Sequence, residues 1–343
     1  MTPPQAGGRF SAYLRFIAAV LWFFMARSMA RHGAQGLATE QWAPLTQQAM
    51  FVFLLLLGYA TMGSIFDRQP HPISAQGLPR RSGWSGETVM GMAVGWALAV
   101  ACVLPLAIFG GIAIVLTLQP SAWLWLVADA AFFALAALAE EIAFRGYAFQ
   151  RFAHAIGPMG AAFGFAAFYA LVQSALPGSN HASFAVSIAF SLLLSMAYVR
   201  TQAIWLSWGL NFAWKASRAL LFGLAISGIN NHSPVVQGDP MGSFWLTGGG
   251  FGLDGSWVAF VLLIAALPVL YRLTRDLDYK YNAPVIVPGG LPVDLSAAAT
   301  RQHESIMTPA KPAAAQLVQI LPVSAPPQLA EEPQESQTLS SRD

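Results

Sequence analysis

The sequence predicts an all-helical bundle that crosses a membrane about eight times, and three features of the chain predict it. Hydrophobic residues make up 56% of the 343 residues, charged residues make up 10%, and the mean hydropathy is +0.53. A soluble domain carries about 25% charged residues, so this chain lacks the charge to cover a water-facing surface. The apolar residues fall into long runs, and the basic residues collect in every second loop between those runs. Together these features exclude a soluble globular enzyme.

Long apolar runs mark the spans, because a helix needs about 17–25 mostly apolar residues to cross the hydrocarbon core. The clearest run begins at Thr88 and meets no charged residue before Asp129, which is enough for one helix, a turn at Pro120 and the start of a second helix. Gly91 and Gly95 in this run are four residues apart, and we interpret them as close packing inside the bundle. The eight predicted spans are residues 11–30, 46–66, one from residue 88, 122–149, 158–176, 182–199, 202–225 and 256–272.

The first span has the weakest pattern. Arg15 and Arg27 leave only a short apolar core between them, so residues 11–30 also resemble a cleaved signal peptide. Arg27 stands just before the small residues 28–30, which disfavours a cleavage site there. We therefore predict a retained span.

The basic residues of the short loops predict the orientation. With eight spans, the side that carries both termini holds Arg9, Arg68, Arg80, Arg81, Arg151, Arg200, Arg272, Arg275 and Lys280. The opposite side holds Arg31, with Arg27 at its border, and its glycine-rich loop at 226–255 has no Lys or Arg. Since basic loops stay in the cytoplasm, we predict a multi-pass plasma (inner) membrane protein with both termini cytoplasmic.

The end of the chain differs in kind from the rest. We predict a transmembrane domain over residues 1–275 and a disordered cytoplasmic tail over 276–343. From Ala283 onward the tail is rich in Pro, Ala, Ser and Gln, and such a segment cannot bury enough apolar surface to offset the entropy of ordering.

The net charge of the whole chain, +2, is too small to indicate a nucleic-acid partner.

A few charged residues fall within the predicted spans, where they usually mark a functional site or an ion pair. Glu140, Glu141 and Arg145 lie in one span, and Lys215 lies in a later one. Glu141 and Arg145 are four residues apart and can pair along one helix face. Glu140 is rotated by about 100° from Glu141 and is therefore aimed at a different neighbour. On spacing alone, an interfacial charge cluster explains this pattern as well as a functional site does.

The surrounding sequence favours a functional site. Residues 140–147, Glu-Glu-Ile-Ala-Phe-Arg-Gly-Tyr, resemble the EExxxR signature of the CAAX protease and bacteriocin-processing family, the CPBP or Abi-type intramembrane proteases. The resemblance continues through Gly157-Pro158 and residues 198–205 to the stretch 209–211. In all it covers about residues 80–220. It implies peptide-bond cleavage within or near the bilayer, with hydrophobic or prenylated peptides as substrates.

The resemblance also implies roles for particular residues. The first glutamate of the pair, Glu140 here, activates the attacking water in this family, and later FxxxH and HxxxN motifs complete the site. This chain departs from both later motifs, since Tyr169 and Gln173 replace Phe and His, and Asn211 and Lys215 replace His and Asn. A divalent metal such as zinc is implied by the family, but its histidine ligands are absent and no zinc site can be assembled by spacing.

The residues that replace the family's motif residues suggest a site with altered proton transfer and charge. Gln173 and Asn211 still form hydrogen bonds, but neither can carry a proton at neutral pH. Lys215 adds a second cation beside Arg145, opposite Glu140 and Glu141, and a buried charge cluster is tolerable when its charges are paired. Our hypothesis is an ion-pair lock, in which Lys215 neutralises Glu140 or Glu141 and weakens Glu140 as a base.

The sequence leaves three functions open. The first is an intramembrane endopeptidase, weakened or inactive, in which Glu140 activates water, Arg145 orients the carboxylates, and Gln173 and Asn211 are weak oxyanion donors. The second is a non-catalytic member that binds a membrane peptide or a membrane protein in the same cavity. The third is a small-solute transporter, which is disfavoured because the buried charges cluster at one site and no paired interrupted helices occur. In all three, membrane lipid surrounds the chain.

Overall fold

The chain folds predominantly into helices. A computed structural model describes residues 6–117, 119–229, 235–282, 285–286 and 292–293. The helices are α1 Ala6–Leu37, α2 Ala43–Asp67, α3 Pro72–Ala75, α4 Trp84–Ile108, α5 Pro120–Arg145, α6 Tyr147–Ile156, α7 Pro158–Ser174, α8 His181–Thr201, α9 Trp205–Ala216, α10 Phe244–Thr247, α11 Trp257–Leu273 and α12 Arg275–Tyr281. Two antiparallel strand pairs accompany them, β1 Ile112–Leu116 with β2 Val236–Pro240, and β3 Val285–Ile286 with β4 Pro292–Val293. The all-helical prediction is confirmed.

Each of the eight predicted spans coincides with a helix, namely α1, α2, α4, α5, α7, α8, α9 and α11. Within the described chain, five helical stretches are long and apolar enough to cross a membrane: Gly8–Leu37, Ala43–Asp67, Trp84–Ile108, Ala122–Ile156 and His181–Thr201. Helix α11 is apolar but shorter. Helix α9 continues into a π-helical turn at Ser217–Leu221. These helices are those of a multi-pass membrane protein.

The structure adds two features that the apolar pattern did not predict. Helix α6 follows α5 directly, because the chain turns sharply at Gly146, where a Cβ atom would lie 2.3 Å from the Ile142 carbonyl oxygen. Strand β1 pairs with β2 from Ile112 opposite Pro240 to Leu116 opposite Val236. This pairing ties the α4–α5 connection to the loop before α11. Residues 112–116 are as apolar as the helix before them, so composition alone did not separate strand from span.

Glycines set the distance between α4 and α9. A Cβ atom on Gly91 would lie 2.1 Å from the Leu206 carbonyl oxygen, and one on Gly95 would lie 2.4 Å from that of Leu210. From the other side, a Cβ atom on Gly209 would lie 2.2 Å from the Thr88 carbonyl oxygen. Backbone therefore packs on backbone, as small residues permit between membrane helices. The interpretation of Gly91 and Gly95 as packing inside the bundle is confirmed.

We expect Gly95→Ala to lower the free energy of unfolding by about 2–3 kcal/mol. The added methyl group would clash with the backbone of α9, which cannot move aside as a flexible side chain could. Gly86→Ala in the same helix is the matched control, since a Cβ atom there meets nothing within 4 Å. Unfolding of the detergent-solubilised protein by increasing SDS measures both variants. Equal stability of the two variants would contradict the close approach of α4 and α9.

The ordered chain continues past the predicted domain boundary at residue 275. Tyr281 of α12 donates a hydrogen bond from its hydroxyl to the Glu87 carboxylate at 2.9 Å. The Asn282 side chain donates to the Arg200 carbonyl oxygen at 3.0 Å, and Arg200 pairs with Asp278 at 3.1 Å. Residues 276–282, which the predicted domain boundary places in the tail, are held by these polar contacts against the ends of α4 and α8. From Ala283 on, the predicted tail lies outside the described residues, apart from β3 and β4.

Candidate functional site

Two helices bring five of the six predicted site residues together. Helix α5 carries Glu140, Glu141 and Arg145, and helix α9 carries Asn211 and Lys215. The Lys215 ammonium lies 2.5 Å from Glu140 Oε1. The Asn211 amide nitrogen lies 3.0 Å from Glu140 Oε2 and 3.0 Å from Glu141 Oε1. Both oxygens of Glu140 are therefore bonded to α9.

The second carboxylate is fully buried. The side chains of Glu141 and Arg145 are 0% and 1% exposed, and they pair at 3.4 Å one helical turn apart. Arg145 also donates to the backbone oxygen and the hydroxyl of Ser191 in α8, each at 3.0 Å. Two carboxylates thus face one guanidinium and one ammonium, so the cluster is electrically balanced. Such balance is what a buried charge cluster requires.

The sixth predicted residue, Gln173 of α7, does not bond to either carboxylate. Its amide nitrogen donates to the Tyr169 hydroxyl at 3.3 Å and to the Ser227 hydroxyl at 3.1 Å. Ser227 donates in turn to Asp254 from its hydroxyl at 2.9 Å. Asp254 pairs with Arg218 at 2.6 Å. Gln173 therefore belongs to a second polar network, which connects α7 to the loop before α11.

The sequence indicates only part of this second network. Arg218 is one of the few basic residues within the predicted spans, and its side chain is 0% exposed. Its partner Asp254 lies 36 residues further on in a glycine-rich loop, and no local pattern connects the two. Ser227 has no distinguishing signal in the sequence either.

A cavity of about 270 Å³ adjoins both networks. Glu140, Lys215, Tyr169 and Gln173 line its polar inner end, and the Glu140 side chain is 28% exposed there. Much of its apolar wall is aromatic and includes Phe23, Phe51, Phe132, Phe133 and Phe144. Largely apolar cavities with a few convergent polar groups are the usual form of a ligand site. The cavity is therefore the candidate binding site.

The side chains present do not fit a zinc ion. No group of three or more His, Cys, Asp or Glu side chains suited to a metal occurs in the part of the chain that the structure describes. The Lys215 ammonium occupies the place beside Glu140 where a cation would bind, and the Asn211 amide nitrogen is a donor toward both carboxylates. A metal needs deprotonated ligands with free lone pairs, so we derive no chemistry through one.

The fold and the charge cluster define a polytopic helical membrane protein. Two adjacent glutamates, each paired with a basic side chain, lie beside its largely aromatic cavity. Residues 119–217 match the family model of the type II CAAX prenyl endopeptidase Rce1-like proteins. The match spans α5 to α9 and includes all six predicted site residues. This match confirms the resemblance to the CAAX protease family that was inferred from residues 140–147. The chain matches no curated protein and no solved structure.

The lock hypothesis makes a stability prediction. We expect Lys215→Ala and Glu140→Ala each to lower the free energy of unfolding by about 1–2 kcal/mol, because each leaves the other charge without its partner. The loss is smaller than for a fully buried pair, since Glu140 is partly exposed to the cavity.

A double-mutant cycle measures this coupling. Glu140→Gln combined with Lys215→Met removes both charges and should recover most of the stability that either single change loses. If Lys215→Ala leaves assembly in the membrane unaffected while Glu140→Ala impairs it, the lock hypothesis loses its support.

Proposed function

We propose that this chain is a weakened or inactive member of the CAAX protease family, which binds an apolar segment of a membrane peptide without cleaving it efficiently. One observation carries the proposal: both oxygens of Glu140 are bonded to Lys215 and Asn211. A general base must accept a proton from the attacking water. A carboxylate held by an ammonium group and an amide is poorly placed to do so.

The predicted oxyanion donors are also occupied. An amide nitrogen has two hydrogens, and those of Asn211 are directed to Glu140 and Glu141. Those of Gln173 are directed to Tyr169 and Ser227. Catalysis of peptide cleavage needs donors aimed at the position where negative charge develops. In this arrangement neither amide has a hydrogen left for that purpose.

Binding, by contrast, needs only the cavity. Its aromatic wall offers a large apolar contact area, and its inner end is polar but electrically neutral through the Lys215–Glu140 pair. An apolar peptide segment fits both properties. We also propose that the protein lies in the plasma (inner) membrane with both termini in the cytoplasm, because the basic residues collect in the loops on that side.

The first test is a cleavage assay with hydrophobic and prenylated peptides on the purified protein. We expect little or no cleavage by the wild type and no further loss in Glu140→Ala. Cleavage by the wild type that disappears in Glu140→Ala would refute the proposal, because the glutamate would then be an active base.

The same preparation tests binding. Ala136 lines the cavity, and we expect Ala136→Phe to fill it and to weaken peptide binding by about 10-fold, or about 1.4 kcal/mol. Ala131→Phe is the matched control, because Ala131 is exposed on the same helix. Equal affinity of the two variants would show that the peptide binds elsewhere.

A further inference from the structure

The short helix α10 presents an apolar, uncharged surface beside the start of α11. Its side chains Phe244, Trp245 and Leu246 are 46%, 59% and 48% exposed. No charged residue occurs in the sequence between Asp239 and Asp254. Contiguous exposed apolar side chains usually mark contact with a protein partner or with a membrane. We name Phe244, Trp245 and Leu246 the α10 patch.

The length of α11 places the α10 patch at the edge of the hydrocarbon core. Helix α11 has 17 residues and is therefore about 25 Å long, whereas the core is about 30 Å thick. At its C-terminal end, Thr274 accepts a hydrogen bond from Arg200 near the end of α8 at 2.6 Å. The following α12 has four charged side chains among its seven residues and cannot extend the apolar length. The missing length therefore lies at the N-terminal end, where the Ser256 hydroxyl donates to the Leu246 carbonyl oxygen of α10.

Helix α4 ends beside the segment that leads to α10. It has 25 residues and is about 37 Å long, which is enough to cross the core, and its side chains Leu104 and Ile108 are exposed up to its last residue. Just past its end, the Gly111 carbonyl oxygen accepts hydrogen bonds from the backbone N–H groups of Met241 and Gly242 at 2.9 and 3.0 Å. Helix α10 begins two residues after Gly242. The α10 patch is thus attached at the end of a helix that is long enough to span the bilayer.

The backbone and side chains of α10 suit a lipid environment. The backbone N–H groups of Leu246, Thr247 and Gly248 donate to carbonyl oxygens within residues 243–244, at 2.9, 3.0 and 2.8 Å. A segment that enters a bilayer has to pair its backbone groups internally in this way. Tryptophan is enriched at membrane–water interfaces, because one part of its ring system is apolar and another part is polar.

The absence of charge favours lipid over a protein partner. Protein interfaces surround an apolar centre with a polar rim, and residues 240–253 offer no charged side chain to such a rim. We propose that the α10 patch lies in the interfacial region of the bilayer and contacts the glycerol and upper acyl-chain regions of phospholipids. The segment before α11 is then anchored to the membrane surface. This inference goes beyond the proposed function, because it uses no residue of the cavity.

Fluorescent labels on single introduced cysteines test the proposal. Cys102 is the one cysteine of the chain and is buried, so the wild type is the labelling blank. A bimane fluorophore is attached to Trp245→Cys, to Leu104→Cys as the lipid-facing reference, and to the matched control Asp239→Cys, which is exposed on β2. Each full chain is placed in phosphatidylcholine nanodiscs at one chain per disc. Bromine on the upper acyl chains is the lipid quencher, and iodide is the aqueous quencher.

We expect the label at position 245 to lose most of its fluorescence in brominated lipid and little of it to iodide, as at position 104. The label at position 239 should show the reverse. Phe244→Cys repeats the measurement at a second position of the α10 patch. SDS-induced unfolding of each labelled chain, compared with that of the wild type, verifies that it is folded.

Two outcomes would overturn the inference. Quenching of the α10 labels by iodide and not by brominated lipid would place the patch in water. Protection of the same labels from both quenchers would mean that protein covers the patch, and not lipid. Neither outcome affects the cavity or its peptide-binding test.

Discussion

Replacing Asp254 by alanine is expected to lower the free energy of unfolding by about 3–5 kcal/mol, the usual loss when one partner of a buried ion pair is removed. Arg218 is 0% exposed and donates to Asp254 at 2.6 Å. The second oxygen of Asp254 accepts from the Ser227 backbone N–H at 3.0 Å and from the Ser227 hydroxyl at 2.9 Å. The variant leaves a guanidinium in the bundle without its counter-charge and disconnects the loop before α11.

The matched control for this change is Asp239→Ala. Asp239 belongs to β2 in the same loop, but it is exposed and has no ion pair in the part of the chain described. Surface substitutions of this kind change stability by no more than about 0.5 kcal/mol. SDS-induced unfolding of both variants in detergent is the measurement. Equal stability of the two variants would mean that the Arg218–Asp254 pair does not hold the loop to the bundle.

The second large effect is a gain of activity. We expect the triple variant Gln173→His, Asn211→His, Lys215→Asn to cleave prenylated or hydrophobic peptides at least about 100-fold faster than the wild type. Proton transfer by positioned side chains contributes about 10²–10⁴-fold to a rate. The variant restores two imidazoles and removes the ammonium group that holds Glu140. The rate of product formation by purified protein measures it.

Two variants control this experiment. Lys215→Asn alone releases one oxygen of Glu140 from the ammonium group but supplies no imidazole, and we expect it to show no cleavage. Glu140→Gln in the triple background should abolish the gained activity, because the base is then missing. A triple variant that folds but does not cleave the peptides would contradict this explanation. The absence of the family's motif residues at positions 173, 211 and 215 would then not account for the weak activity.

The parts of this protein that the sequence predicted are those that a single helix specifies. The runs of apolar residues predict the spans because crossing a bilayer needs a fixed length of apolar helix. Glu141 and Arg145 pair because residues four apart meet on one helix face. The CAAX protease resemblance is carried in the same way by short motifs within α5, α8 and α9.

The candidate site was only partly accessible from the sequence. The spacing showed that Glu140 is aimed away from Glu141 and that Lys215 is a cation available to one of them. Only the packing of α5 against α9 determines that Lys215 meets Glu140, and that Asn211 bridges both carboxylates. The partner of Arg218 could not be predicted, because Asp254 comes from a loop whose path no helical periodicity describes.

What the sequence by itself determined is the class of protein, the positions of the spans and the residues of the EExxxR motif. Only the tertiary structure determined the Lys215–Glu140 contact, the β1–β2 pairing and the cavity. The physical reason is that the apolar surfaces of membrane helices resemble one another, so the sequence of one helix does not identify its neighbour. Close contacts such as those of Gly91 and Gly95 with α9 determine which helices are neighbours. The packing of α5 against α9 then brings together side chains that are 70 residues apart.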